Sequence, residues 1–292
     1  MNIGALFVKM GKIFPDPVTM NDIRNMKRRK LMAAEKQKPY AKYFYKELAQ
    51  IPAADFEKVN AGPVDPARVT TIQNRNDLMK PGYLDVETGY TVMPDGSGFA
   101  ATLVKMPGVT PEMLDWWFNW HPLEGLRYAM WCPIAHTNIS VKNPAKHMDR
   151  SGVPLMERNY GCTHYPVEGF NVQGADKLRI EFFSPMDFGL DMTMFKEPGI
   201  SRAYCANVII DFMGIPFNVF FHAIRKVEGG VEYRSRYWVG QTMKLTGPVR
   251  AKSPLPFKMM NLARNNCLHS LTEYNNLASF LPQLYEEMGG KI

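Results

Sequence analysis

His269 and Glu273, four residues apart, carry the clearest chemical signal in the chain. They fall in residues 256–281, a stretch whose composition predicts one long helix. At positions i and i+4 an imidazole and a carboxylate lean the same way from one face, so both can converge on a single divalent cation. The same face carries Leu262 together with Asn265, Asn266 and Asn276, polar groups where a core helix would present only leucine or methionine. That stripe points to a lined cavity. A bare His-x-x-x-Glu pair is also the pattern of a surface hydrogen bond, so further ligands must come from elsewhere in the chain.

The sequence holds six histidines. His136 follows a strand-like run and can turn into the mouth of a sheet. His222 lies in the apolar stretch 217–222, where period-two alternation puts Asn218, Phe220 and His222 on one face. Asn218 can hold substrate or water beside that imidazole, although a histidine on such a strand also has a hydrogen-bonded core reading. His164 and Glu168 are again four apart. Pro166 between them rules out a regular helix, but on an extended strand they share a face. His121 reads as a helix cap and His147 as a solvent-facing loop residue. These donors are imidazole nitrogens and carboxylate oxygens, with no cysteine at a suitable spacing. Zinc fits them best, taking His and Asp or Glu at ~2.0–2.2 Å while keeping a position for water or substrate. A two-His, one-carboxylate iron centre is the chemical rival.

Positioning such groups takes a sheet and a helix. Residues 90–93 and 99–105 read as a hairpin, and Thr110 caps a short apolar helix over 111–120. Strand-like runs follow at 127–131, 161–172, 178–183, 203–212, 216–226 and 233–243, the last two joined by Glu228-Gly229-Gly230. Strands followed by one long C-terminal helix form an α+β order, for which a curved antiparallel sheet gripping the helix is the economical architecture. Ahead of it, residues 19–36 and 39–50 read as helical, with Tyr40, Tyr43, Phe44, Tyr45 and Leu48 on an aromatic face. So small a segment must bury that face on the main body or on a second copy, and a homodimer is the commonest outcome. Residues 51–86 are rich in Pro, Asn and Asp and read as an irregular connection. The chain divides into residues 1–85, a small helical part plus linker, and residues 86–292, the site-bearing domain.

Composition excludes several classes. A chain of 292 residues with 46% apolar and 22% charged residues is ordinary for a globular protein. No run of ~18 apolar residues is present, so no membrane span is expected. The first 14 residues are interrupted by Lys9 and make no signal peptide, which predicts a cytoplasmic location. The four cysteines are widely spaced, matching neither a zinc finger nor a disulfide framework. The net charge of +7 and the Lys27-Arg28-Arg29-Lys30 cluster invite a nucleic-acid partner. No aromatic-interleaved basic groove accompanies them, and a solvated helix face is the expectation.

Trp116-Trp117-Phe118-Asn119-Trp120-His121-Pro122, Arg127-Tyr128, Pro133-Ile134-Ala135-His136 and His269-Ser270-Leu271-Thr272-Glu273 together resemble the 2,4-diacetylphloroglucinol hydrolase and phloretin hydrolase family. The likeness runs from about residue 85 onward. It implies a helix-grip fold, START-like and similar to the birch pollen allergen, preceded by a small helical dimerisation domain. The implied activity is zinc-dependent hydrolysis of the C–C bond between an acyl group and a phloroglucinol ring, so the partner is a small aromatic ketone. The resemblance further implies zinc bound by His136, Glu168, His269 and Glu273, with His164 the substitute for Glu168. Proton transfer falls to His222 and Glu273, and substrate contacts to Tyr128, Tyr237 and, by a looser match, Asn138. The acyl group is left open between acetyl and phenylpropanoyl. The competing reading is a noncatalytic helix-grip protein that binds an apolar aromatic ligand, and metal content separates the two.

Overall fold

The computed structural model describes residues 17–144, 152–169, 176–251 and 258–292. The hairpin expected after residue 88 is present as β1 (Gly89–Val92) and β2 (Gly98–Pro107). Then come β3 (His136–Val141), β4 (Thr163–Glu168), β5 (Asp176–Phe183), β6 (Arg202–Ile210), β7 (Ile215–Val227) and β8 (Gly230–Val239). All pair antiparallel in one eight-stranded sheet, ordered β1-β2-β8-β7-β6-β5-β4-β3. Gly229 takes φ 74° in the β7–β8 turn, a left-handed conformation that glycine adopts without strain. Gly240, at φ 77°, then breaks the predicted 233–243 strand. Beyond it β9 (Gln241–Lys244) and β10 (Gly247–Arg250) form a separate ribbon.

The helices are α1 (Met20–Arg24), α2 (Ala33–Lys36), α3 (Ala41–Tyr45), α4 (Ala53–Asn60), α5 (Pro111–Trp120), α6 (Gly125–Trp131), α7 (Met259–Ala278) and α8 (Leu281–Glu287). Helix α7 is the long C-terminal helix, and its predicted start at 256 and 257 lies outside the described residues. It packs along β1, β2 and β8. A Cβ on Gly98 would stand 3.1 Å from the Met259 sulfur and 3.2 Å from the Ala263 methyl, so the helix backs closely onto β2. The Ser270 and Thr102 hydroxyls hydrogen-bond across that contact at 2.8 Å.

Strand alternation sorts the apolar side chains into two layers. Phe220, Ile224, Tyr233 and Tyr237 join α5, α6 and α7 on the inner face. Val219, Phe221 and Trp238 pack on the outer face against Ile72, Leu78, Met79 and Phe188. Helix α5 begins at its expected Thr110 cap and buries Trp116, Trp117 and Trp120. Each such ring removes roughly 200 Å² from water, on the order of 5 kcal/mol of gross transfer free energy, which pins α5 to the inner layer.

Three expectations are corrected. Residues 127–131 form helix α6 and no strand; Leu126 and residues Tyr128 to Trp131 are all buried, so the run shows no helical period to read. The long N-terminal helices are short ones, and the 51–86 connection contains α4 and two short 3₁₀ turns. Tertiary contacts replace the missing helical bonds: Arg24 and Arg28 donate to the Leu48 and Phe44 carbonyls at 3.0 and 2.6 Å, and Arg29 pairs with Glu35 at 2.7 Å. Much of the basic cluster is thus engaged within the chain. The aromatic face is covered by the body of the same chain: Tyr40 meets Trp120 edge-on at 5.0 Å and Tyr43 meets Phe280 at 5.2 Å. Tyr40, Tyr43, Phe44 and Leu48 are buried there, while Tyr45 stays exposed. No helix among the described residues is long and apolar enough to cross a membrane.

Candidate metal centre

Two strand ends and one helix deliver four donor atoms to one point. The Nε2 atoms of His136, at the start of β3, and His269, on α7, lie 3.3 Å apart. The His136 Nε2 is 3.5 Å from Glu168 Oε2, at the end of β4, and 3.5 Å from Glu273 Oε2, one turn beyond His269. The His269 Nε2 to Glu273 Oε2 distance is 3.6 Å. Donors bound tetrahedrally to one zinc at ~2.0–2.1 Å stand about 3.4 Å apart, so the spacing suits a shared ion. The pairing of His136 with Glu168 across β3 and β4 brings two of the four together, and the helical i, i+4 spacing brings the other two.

Helix α6 supports this cluster. The Tyr128 ring stacks on His136, with centroids 3.9 Å apart and planes inclined by 3°. Its carbonyl lies 3.3 Å from His136 Nδ1, which places the proton on Nδ1 and turns the Nε2 lone pair toward the cluster. The Tyr128 hydroxyl donates to Glu168 Oε2. Trp131 donates its indole N–H to the Glu273 carbonyl at 3.0 Å, tying α6 to α7.

Burial sets the charges. It holds His269 down at about 4, and burial with the adjacent His269 holds His136 well below the usual imidazole range. Burial raises Glu168 to about 7, against the lowering pull of the Tyr128 hydroxyl. Burial, reinforced by Glu168, pushes Glu273 well above the usual carboxylate range. The cluster therefore offers neutral imidazoles and carboxyls that resist ionisation. A divalent cation at its centre would supply compensating positive charge and favour both carboxylates.

The cluster sits in the wall of a cavity enclosing about 660 Å³ of atom-free space, mouth included. A second lobe of about 620 Å³ shares Glu168, Phe217, Asn266 and His269 with it. On the central strands His222 lines the first lobe. Its Nδ1 is 2.9 Å from the Ser235 hydroxyl and its Nε2 is 3.3 Å from the Tyr274 hydroxyl, which accepts from Tyr233 at 3.0 Å. Phe220 stacks on the imidazole at 4.3 Å, and burial drives its pKa down to about 3. Tyr237 lines the same lobe 5.5 Å from His222, centroid to centroid.

The expected residues therefore converge with one exception. Asn138 is exposed, and its carboxamide packs toward Gly125, away from the cavity-lining side chains. Glu168 is the member of its pair that reaches His136; His164 lines the cavity farther along β4, against Phe182. The predicted polar stripe on α7 faces the two lobes at Leu262, Asn265, Asn266, His269 and Glu273. Asn276 instead donates to the Trp131 carbonyl at 2.9 Å. His147 lies outside the described residues. The expectation that no cysteine stands at a suitable spacing is corrected. Cys132, His136 and His269 have ligand atoms within 4.8 Å of one another and make a group able to hold a metal. The signal was the C-x-x-x-H spacing, which a tight turn closes: the His136 N–H donates to the Cys132 carbonyl at 2.8 Å. Burial, with Glu273 and Glu168 nearby, raises that thiol well above its usual range, as it raises the two carboxyls. Sequence reasoning also missed Tyr274 and Ser235, whose roles depend on what they face across the cavity.

Comparison with known proteins identifies the family. The family model described as the DAPG hydrolase PhiG domain matches residues 69–286. The 2,4-diacetylphloroglucinol hydrolase of Pseudomonas sp. is 33% identical over 272 residues, covering 88% of this chain and 90% of that protein. The protein of the same description from Pseudomonas protegens is 33% identical, covering 88% and 87%. The phloretin hydrolase of Eubacterium ramulus is 31% identical over 261 residues, covering 87% and 91%. With the match spanning most of both chains, this protein belongs to the 2,4-diacetylphloroglucinol hydrolase family.

Proposed function

We propose that the protein is a zinc-dependent hydrolase that cleaves the bond between an acyl group and a phloroglucinol ring, releasing a carboxylic acid and the deacylated phenol. The observation that carries this reading is the set of imidazole and carboxylate donors 3.3–3.6 Å apart in a cavity wall. His136, Glu168, His269 and Glu273 would hold the metal. The helix-grip reading of the fold is supported by α7 lying along β1, β2 and β8.

Direct hydrolysis would expel an aryl carbanion, so the ring carbon bearing the acyl group must be protonated first. Burial keeps His222 neutral, which makes its Nε2 a proton acceptor. A phenolic hydroxyl of the substrate gives its proton to Nε2, and the imidazolium returns it to the ring carbon, yielding a non-aromatic β-diketone. The 3.3 Å contact from Tyr274 is long for a hydroxyl donor and yields that lone pair to the substrate. Ser235 accepts from Nδ1–H at 2.9 Å and steadies the imidazolium. Water then attacks the acyl carbonyl, the C–C bond breaks, and its electron pair passes into the ring as an enolate that rearomatises. Tyr128 and Tyr237 orient the ring oxygens, while Glu273 takes a proton from the attacking water. Zinc held by His136, Glu168, His269 and Glu273 would supply a Lewis acid able to polarise an oxygen and acidify water.

The test is to measure zinc per chain by elemental analysis and to incubate the protein with acylphloroglucinols bearing acetyl and hydroxyphenylpropanoyl arms, identifying the released acid. About one zinc per chain, acid release, and loss of both with a strong chelator are expected. A zinc-free protein that binds these ketones without releasing acid would establish the noncatalytic reading.

A further inference from the structure

We propose that Asn218 is a hydrogen-bond acceptor built into the cavity wall for a hydroxyl on the substrate's acyl arm, selecting arms that end in a hydroxylated aryl ring over acetyl. The proposal rests on the hydrolase reading and names the arm that it leaves open. Asn218 is 3% exposed and lines the cavity, and its Oδ1 is buried without a hydrogen-bond partner. Buried polar atoms are nearly always paired, and leaving one unpaired costs ~1–3 kcal/mol. An orphan on the wall of a ligand cavity marks where a donor on the ligand belongs.

Position identifies that donor. Asn218 precedes His222 by four residues on the same face of β7, with Phe220 between them. The register carries its row across the sheet through Val208 and Ile180 to His164 on β4, the strand that ends in Glu168. From His164, four residues before Glu168 on β4, to Asn218 on β7 is three inter-strand steps, about 14 Å along the sheet at ~4.7–4.9 Å each. Ile180, Phe182, Val208 and Phe220 line the cavity between, an apolar band on which an aryl ring can lie. With the carbonyl held at the metal cluster, an acetyl arm ends one methyl away. A phenylpropanoyl arm crosses the band and brings a para hydroxyl toward Asn218.

The experiment compares kcat/KM for three ketones: the 3-(4-hydroxyphenyl)propanoyl ketone, its deoxy analogue lacking that hydroxyl, and acetylphloroglucinol. Wild type should prefer the hydroxylated ketone over the deoxy analogue by about 5- to 150-fold, the worth of one buried hydrogen bond. Asn218→Leu should reduce the hydroxylated ketone to the level of the deoxy analogue and leave the other two within about threefold. Equal wild-type kcat/KM for the hydroxylated and deoxy ketones refutes the proposal without any variant. An equal loss on all three with Asn218→Leu also refutes it and makes Asn218 a partner of the ring hydroxyls. Calorimetric binding of the same pair to the zinc-loaded protein decides the assignment independently of turnover. Absence of acid release would sink the hydrolase reading, whereas equal affinities would sink the acceptor.

Discussion

Replacing His222 with alanine separates a proton carrier from a metal ligand. The imidazole is 3% exposed and bonds to Ser235 and Tyr274, so truncation leaves two buried hydroxyls short of a partner. At ~1–3 kcal/mol each the loss would span roughly 2–6 kcal/mol. Tyr274 keeps its bond from Tyr233, and water can enter from the adjoining cavity, which favours the lower end, about 2–3 kcal/mol. That corresponds to a fall in Tm of roughly 3–5 °C for a chain of this size. Zinc should stay near stoichiometric, while turnover falls ~10²–10⁴-fold, the range for a positioned acid–base group. The stability difference should depend on pH with a defined sign. Burial depresses the folded pKa of His222 to about 3, so the unfolded chain takes up a proton that the folded chain refuses. Wild type therefore loses stability as pH falls from about 6.5 toward 3, the variant lacks this proton, and the gap between them narrows in acid. Zinc by elemental analysis, acid release and thermal unfolding should be measured on one preparation. Full zinc with wild-type turnover would return His222 to a purely structural role, and lost zinc would make it a support of the metal cluster.

His269→Ala removes the nitrogen 3.3 Å from His136 and should weaken zinc binding by more than the ~10–100-fold typical of a supporting partner, abolishing acid release. Retained zinc, read by elemental analysis, would remove α7 from the site. Cys132→Ala should keep zinc and turnover within about threefold, because the buried thiol is held protonated beside Glu273. Lost zinc would make that sulfur a ligand. Zinc binding near pH 7 should release at least one proton from Glu168, whose metal-free pKa is about 7, or from Glu273, which lies higher than usual. Apparent affinity should therefore rise with pH, and calorimetry in buffers of different ionisation enthalpy reads the release. Zero release would contradict the carboxylate donor set.

Several features are set by short-range pattern and need no tertiary information. The four-residue spacing of His269 and Glu273, the Thr110 cap, the Glu228-Gly229-Gly230 turn and the Asn218, Phe220, His222 alternation each follow from backbone periodicity or glycine's freedom at positive φ. Where burial surrounds an element, pattern fails. Helix α6 is buried almost all round and reads as a strand, although it carries the Tyr128 that stacks on His136. The N-terminal aromatic face looked available to a second copy because only the folded chain supplies Trp120 and Phe280 to cover it. Cys132 and Asn138 show the same limit in opposite directions. A turn draws Cys132 toward the cluster, and the irregular register between His136 and Asn138 sends Asn138 outward. Residue type and spacing determined which side chains can bind a metal or move a proton. The wrapping of the sheet on α7 decided which of them meet, because His136 and His269 are 133 residues apart in the chain and 3.3 Å apart in space. Local periodicity records which face a residue occupies, and only the packed whole records what that face meets.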